Sequence, residues 1–227
     1  MVRDDGIVDA ERTRVLMDLL ASTGWVDAAR GFAGGLRRSA LTSSGQLLLV
    51  GTPNFEPWHF AAHLTDEAQF AGLPELTPLL VRWQVPPGAS SHLAIPLQRL
   101  EIVGRGETLL VVTDEAAPDP LLERAWDARK AGATVLALDT GSEQLASVAH
   151  DSLELPTIAP ALLSFDAAQH IVSVAAGEAP AGSTTGRGGA GGPGVSGSAA
   201  QGAGQRMRGR LAKLLDRLSG PPPDRDW

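Results

Sequence analysis

Apolar positions along the chain gather in short unbroken runs separated by longer amphipathic segments. The runs are Gln46–Val50 (QLLLV), Thr77–Trp83, Thr108–Thr113 (TLLVVT), Ala133–Leu138 (ATVLAL) and Ser152–Leu155. Such a run fits a strand buried on both faces, as in a parallel sheet. Helical patterns occupy the intervals: Trp58 to about Phe70, Pro120–Lys130, Glu143–Ala149 and about Ala159–Ala175, with two more upstream at Ile7–Leu20 and Trp25–Leu41. Pro57 and Pro120 suit first turns of helices, and Gly132 suits a helix end. Strands joined by helix-length crossovers predict a three-layer α/β/α sandwich with a mainly parallel five-stranded sheet, flavodoxin-like in class. Ligands of such sheets sit beyond the carboxyl ends of the strands, here the loops 51–57 and 113–119.

Charge divides the chain into parts. Residues 177–204 (GEAPAGSTTGRGGAGGPGVSGSAAQGAG) hold 11 glycines, with one acid and one base. With no Leu, Ile, Phe or Trp to offset ordering entropy, this stretch predicts a flexible linker. Residues 205–227 carry six bases and three acids, so of the overall net charge of −7, residues 1–176 carry −10. The predicted organisation is an acidic α/β domain over 1–176, the linker over 177–204, a basic amphipathic helix over 205–219 and a Pro-rich terminus over 220–227. On that last helix Met207, Leu211, Leu214, Leu215 and Leu218 share one side, while Arg206, Arg208, Arg210, Lys213 and Arg217 occupy most of the rest. A helix this short is marginal alone in water, so it is expected to dock. The candidates are an acidic face of its own domain or dimer mate, another protein's groove, or an anionic membrane surface. The acidic domain argues against nucleic acid as a partner, because phosphate contacts need concentrated positive charge. The absence of cysteine excludes disulfides, thiolate zinc sites and cysteine nucleophiles. No apolar stretch has the length of a membrane span, and the charged start MVRDDGIVDAERTR lacks a signal-peptide pattern, so the cytoplasm is the expected compartment.

The order of landmarks resembles a known family. The Gly104-Arg-Gly-Glu107 turn before its strand, the Ala131-Gly-Ala-Thr-Val-Leu-Ala-Leu-Asp139 segment, and Leu145-Ala-Ser-Val-Ala-His-Asp-Ser-Leu-Glu-Leu-Pro156 are similar to the sugar isomerase (SIS) domain. Leu47–Gly51 followed by His59-Phe-Ala-Ala-His-Leu64 resembles its phosphoheptose isomerase branch. The resemblance spans about residues 10–176. It implies an α/β/α fold, pairing as a homodimer, and phosphosugar binding by backbone amides and Ser/Thr hydroxyls after the strands. The matching positions here are Gly51, Thr52 and Asn54 in the first loop and Thr113, Asp114 and Glu115 in the second.

Those loops depart from the family pattern. A Ser-x-Ser-Gly-x-Ser/Thr loop becomes Thr113-Asp-Glu-Ala-Ala-Pro118, with Glu115 in the place of the second serine. Carboxylates repel a phosphate across a few ångström. Pro53 and Phe55 stiffen and crowd the first loop. His59 and His63, spaced i,i+4, share a helix face and form a two-histidine pair for a divalent metal such as zinc. The resemblance places a proton-transferring glutamate at position 63, where this chain has histidine. Further ligands, a Gln and a His two turns apart on the last helix, have no match, because Gln169 and His170 are adjacent. The alternative for His59 and His63 is an imidazole pair in a packing interface. Asp66 with Glu67, and Asp114 with Glu115, are candidate acid/base pairs whose bland alternative is solvation. Four of the tryptophans, at 25, 58, 83 and 126, fall at positions that suggest core.

The function expected from these features is a diverged, non-catalytic SIS-like binding or regulatory domain, with no cofactor and a tethered basic helix for a partner or anionic surface. An aldose–ketose phosphosugar isomerase of the phosphoheptose type is the alternative, and a scaffold that presents its tail is a third.

Overall fold

The computed structural model describes residues 23–42, 45–88, 95–155 and 163–178. One compact unit, Trp25–Glu178, holds all the elements below. The expected helix at 7–20, nearly all of the linker, the helix at 205–219 and the 220–227 terminus lie outside the described residues.

Five strands form the sheet: β1 (Leu47–Val50), β2 (Leu79–Val81), β3 (Thr108–Val112), β4 (Thr134–Asp139) and β5 (Asp151–Glu154). Their order is β2-β1-β3-β4-β5, and every neighbouring pair is parallel. Leu48 lies opposite Leu79 on one side and Leu109 on the other, and Leu138 opposite Leu153. Every residue of β1 and β3 is buried, as the unbroken apolar runs require of central strands covered on both faces.

The helices are α1 (Trp25–Thr42), α2 (Trp58–Ala71), α3 (Asp119–Lys130), α4 (Glu143–Val148) and α5 (Phe165–Gly177). On one face of the sheet α5 packs against both α1 and α2. On the other, α3, α4 and a 3-10 helix at Leu97–Ile102 cover a core built from alternate strand positions: Leu48 and Val50, Leu109 and Val111, Val135 and Ala137. Two arginines tie helix ends into this frame. Arg37 Nη1 donates to the carbonyls of Ala176, Gly177 and Glu178 at 3.2, 3.1 and 3.0 Å, and Arg129 Nη1 to those of Val148 and Ala149 at 2.6 and 2.7 Å. Each places a cation on carbonyls that a helix C-terminus leaves without intrahelical donors.

Two expectations are corrected and one element is new. The last helix begins at Phe165 rather than near Ala159, because the Ser164 hydroxyl accepts from the Ala167 N–H at 3.1 Å and sets the N-cap. The 3-10 helix at Leu97–Ile102 had no counterpart in the pattern, although buried Leu97, Leu100 and Val103 recur at its three-residue period. Trp58 and Trp126 are not core residues: they are 57% and 49% exposed, whereas Trp25 is buried and donates its indole N–H to the Glu154 carbonyl at 2.9 Å.

Candidate functional site

The strand order places β1 beside β3 while their crossovers leave in opposite directions, β1 toward β2 and β3 toward β4. This is the switch point at which doubly wound sheets open a crevice for ligands. The two loops that flank it contain all six residues read as candidate ligand contacts.

The first loop leaves β1 as a tight return. The Thr52 N–H donates to the Phe55 carbonyl at 2.9 Å, and the Phe55 N–H donates to Thr52 Oγ1 at 3.1 Å. Gly51 permits it: a Cβ there lies 2.0 Å from the Phe55 carbonyl oxygen. The Trp83 indole N–H, from the end of the neighbouring strand, fixes the Gly51 carbonyl at 2.8 Å. Phe55 packs edge-on against Phe165 of α5, with ring centroids 5.2 Å apart. The sequence showed Pro53 and Phe55 as obstacles to a ligand; in the fold Phe55 braces the loop against α5.

The second loop turns on Thr113, whose buried hydroxyl donates to the Glu115 carbonyl at 2.8 Å and accepts from the Glu115 N–H at 3.1 Å. That turn directs the Glu115 side chain back across the crevice. Thr52 Oγ1 donates to Glu115 Oε1, and Asn54 Nδ2 lies 3.3 Å from both carboxylate oxygens. Thr52 is only 2% exposed, so its hydroxyl needs a protein acceptor, and Glu115 supplies it. Asp114 points to solvent, and its carbonyl accepts from Thr140 Oγ1 at 3.3 Å. Thr52, Asn54, Thr113 and Glu115 therefore form one network, braced by Gly51, with Asp114 outside it.

Two cavities flank the first loop. One, about 430 Å³, is lined by Gly51, Pro53, Glu56, Trp83 and Gln84 among others. The other, about 420 Å³, is lined by Asn54, Phe55, Trp58, His59, Asp166 and Gln169 among others. Glu56 in the wall of both is engaged by Arg82, whose Nη2 donates to it at 2.8 Å.

The two histidines of α2 have different partners. The His59 ring lies over Trp58 with centroids 3.4 Å apart, while His63 meets His170 of α5 edge-on at 4.1 Å. His170 is the member that spacing in the sequence missed, because only the packing of α2 on α5 brings it there. Among the described residues no group of three or more His, Asp or Glu side chains is placed to hold a metal ion. Burial holds the His63 imidazole below its ordinary value of 6.5; Asp66 and Asp166 raise it and His59 lowers it further. His150 is structural: its Nδ1 accepts from the Val135 N–H at 3.0 Å and its own N–H donates to the Val135 carbonyl at 2.7 Å, which extends the β4–β5 pairing. Asp66 is exposed and takes no part in the crevice.

No family model matches the chain, and no curated protein matches it. Solved structures do match in fold. A protein of Silicibacter pomeroyi described as a phosphosugar isomerase aligns with a TM-score of 0.51 at 15% identity, over 92% of this chain and 54% of its own. The chain thus spans about half the length of that structure. Vibrio vulnificus NanR, complexed with ManNAc-6P, aligns at a TM-score of 0.44 and 13% identity over 96% of this chain and 71% of its own. An Escherichia coli protein, solved as a complex with its ligand, aligns at 0.39 and 12% over 90% and 98%. At these identities the first likeness is one of fold, and it agrees with the parallel five-stranded α/β/α architecture predicted from the hydrophobic pattern. Among the described residues no helix is long and apolar enough to cross a membrane.

Proposed function

We propose that this chain is a diverged SIS-like domain that binds or regulates without catalysing an isomerisation. The observation that carries the proposal is Glu115, whose carboxylate lies across the switch-point crevice on Thr52 and Asn54. A free carboxylate poised to move a proton between adjacent sugar carbons must be able to reach substrate. Glu115 is instead tied to both loop donors, and its charge opposes a phosphate at the position where a phosphosugar needs donors. The glutamate that the family resemblance places on α2 for proton transfer is His63, which packs against His170. The SIS landmarks support descent from a sugar-phosphate fold, and the remodelled loops support loss of its reaction.

Calorimetric titration of the full chain with sedoheptulose 7-phosphate, together with an aldose–ketose turnover assay, tests this. The expected outcome is neither heat of binding nor turnover. Micromolar binding with turnover contradicts it and favours the isomerase. Homodimer formation and an acidic or anionic partner for the basic 205–219 segment belong to the same proposal; the opposite charges of segments 1–176 and 205–227 support the latter.

A further inference from the structure

We infer that Thr52 and Asn54 form an oxyanion seat on the first loop, and that Glu115 is its built-in occupant, so that an external oxyanion binds there only when the Glu115 carboxylate is removed. The inference rests on the non-catalytic proposal above and deepens it by naming the chemistry of the same crevice.

The geometry is that of an anion and its receptor. A buried hydroxyl and a side-chain amide, both donors, converge on one carboxylate from a loop 61–63 residues away in sequence. Oε1 accepts from both donors and Oε2 from the amide. The receptor is rigid before the anion arrives. The Thr52–Phe55 return, the Gly51–Trp83 hydrogen bond and the Phe55–Phe165 ring contact hold the first loop without help from Glu115. The anion is likewise aimed by its own turn at Thr113. Preorganised donors facing a preorganised acceptor keep the seat filled intramolecularly, at an effective concentration that a dilute ligand cannot match.

The role of the second loop is thereby reversed relative to the phosphate-binding arrangement that the sequence resemblance implies. There the loop after the third strand supplies hydroxyl and amide donors. Here that loop supplies the negative charge, and the loop after the first strand supplies the donors. Truncation of Glu115 removes the occupant and leaves a hydroxyl and an amide, facing a space the size of a carboxylate, with no acceptor.

The test is thermal unfolding of the full chain and of Glu115→Ala with inorganic phosphate or sodium acetate as probe, against sodium chloride at matched ionic strength. The expected result is that E115A unfolds at lower temperature than the parent in chloride and is restored by phosphate or acetate. At probe concentrations about 100 times Kd the rise is on the order of 5 °C, while the parent shifts by less than about 1 °C. E115A with Asn54→Ala is expected to lose most of that response, and Glu115→Gln, which keeps an acceptor oxygen in the seat, to show none. If E115A fails to fold, E115G and E115S provide the same vacated seat for the same measurement. An E115A response to phosphate and acetate no greater than to chloride overturns the inference while the non-catalytic proposal stands. Aldose–ketose turnover of a phosphosugar by the parent chain overturns that proposal instead.

Discussion

The Thr52 hydroxyl donates to the Glu115 carboxylate across the crevice between β1 and β3, and this one contact joins the two loops that flank the switch point of the sheet. Its partners differ in exposure. Thr52 is 2% exposed, whereas Asn54, which reaches the same carboxylate at 3.3 Å, is open to solvent. Removal of the Thr52 hydroxyl takes a donor from the Glu115 carboxylate and the acceptor from the Phe55 N–H, which costs about 1–3 kcal/mol, whereas water compensates for an exposed amide. Asn54→Ala is therefore expected to change stability by less than about 0.5 kcal/mol, and Thr52→Val by about 1–3 kcal/mol. Urea unfolding of the two variants separates them, and equal losses contradict the assignment of Thr52 as the main tie.

Gly51→Ala is expected to be among the most damaging single substitutions in the domain. The added Cβ lies 2.0 Å from the Phe55 carbonyl oxygen and 2.6 Å from Pro57 Cδ, so the return between Thr52 and Phe55 must open. A loss on the order of 3 kcal/mol or more follows from forced overpacking against backbone. Equilibrium unfolding measures it, and a loss below about 1 kcal/mol shows that the return is not as tight as described.

Acidification is expected to weaken the fold through His63. Burial lowers its folded-state value below 6.5, so below that pH the unfolded chain binds more protons than the folded one. The contribution is complete above 6.5 and is lost as pH falls through the folded-state value. Thermal midpoints measured from about pH 7.5 to about 5.5 are expected to fall more steeply in the parent than in His63→Gln. Parallel slopes in the two proteins contradict this account of the α2–α5 contact.

Arg129→Ala is expected to destabilise by about 1–2 kcal/mol, because it removes a cation from the Val148 and Ala149 carbonyls at the end of α4. Arg129→Lys keeps the charge on a shorter side chain without the planar guanidinium and is expected to recover part of the loss. Full recovery by lysine in denaturant titrations shows that charge alone, rather than paired hydrogen bonds, matters there.

The architecture was legible because burial leaves a direct mark on composition. Leu47–Val50 and Thr108–Val112 are apolar throughout because both faces of a central parallel strand are covered. The start of α5 was misplaced by about six residues because the apolar pattern runs upstream of Ser164, and the hydroxyl rather than the pattern sets the end. Trp58 and Trp126 misled for the opposite reason, since size and hydrophobicity do not say which side of a helix meets the sheet. In the crevice, the residues were found but not their relationship. Asp114 and Glu115 read as two carboxylates hostile to a phosphate. Nothing local shows that Glu115 turns inward to Thr52, 63 residues away, while Asp114 turns out. His170 was set aside because it neighbours Gln169 in sequence; its contact with His63 comes from helix packing, which sequence spacing does not encode.

The measurement that bears most directly on the closed crevice is a double-mutant cycle on Thr52→Val and Glu115→Ala, read by urea unfolding of the parent, both single variants and the double. A charge-assisted tie between a buried hydroxyl and a carboxylate predicts a coupling free energy of about 1–2 kcal/mol, with the double variant less destabilised than the two single losses added together. Additive losses, with a coupling below about 0.3 kcal/mol, would show that Glu115 does not hold Thr52 and that the crevice is open.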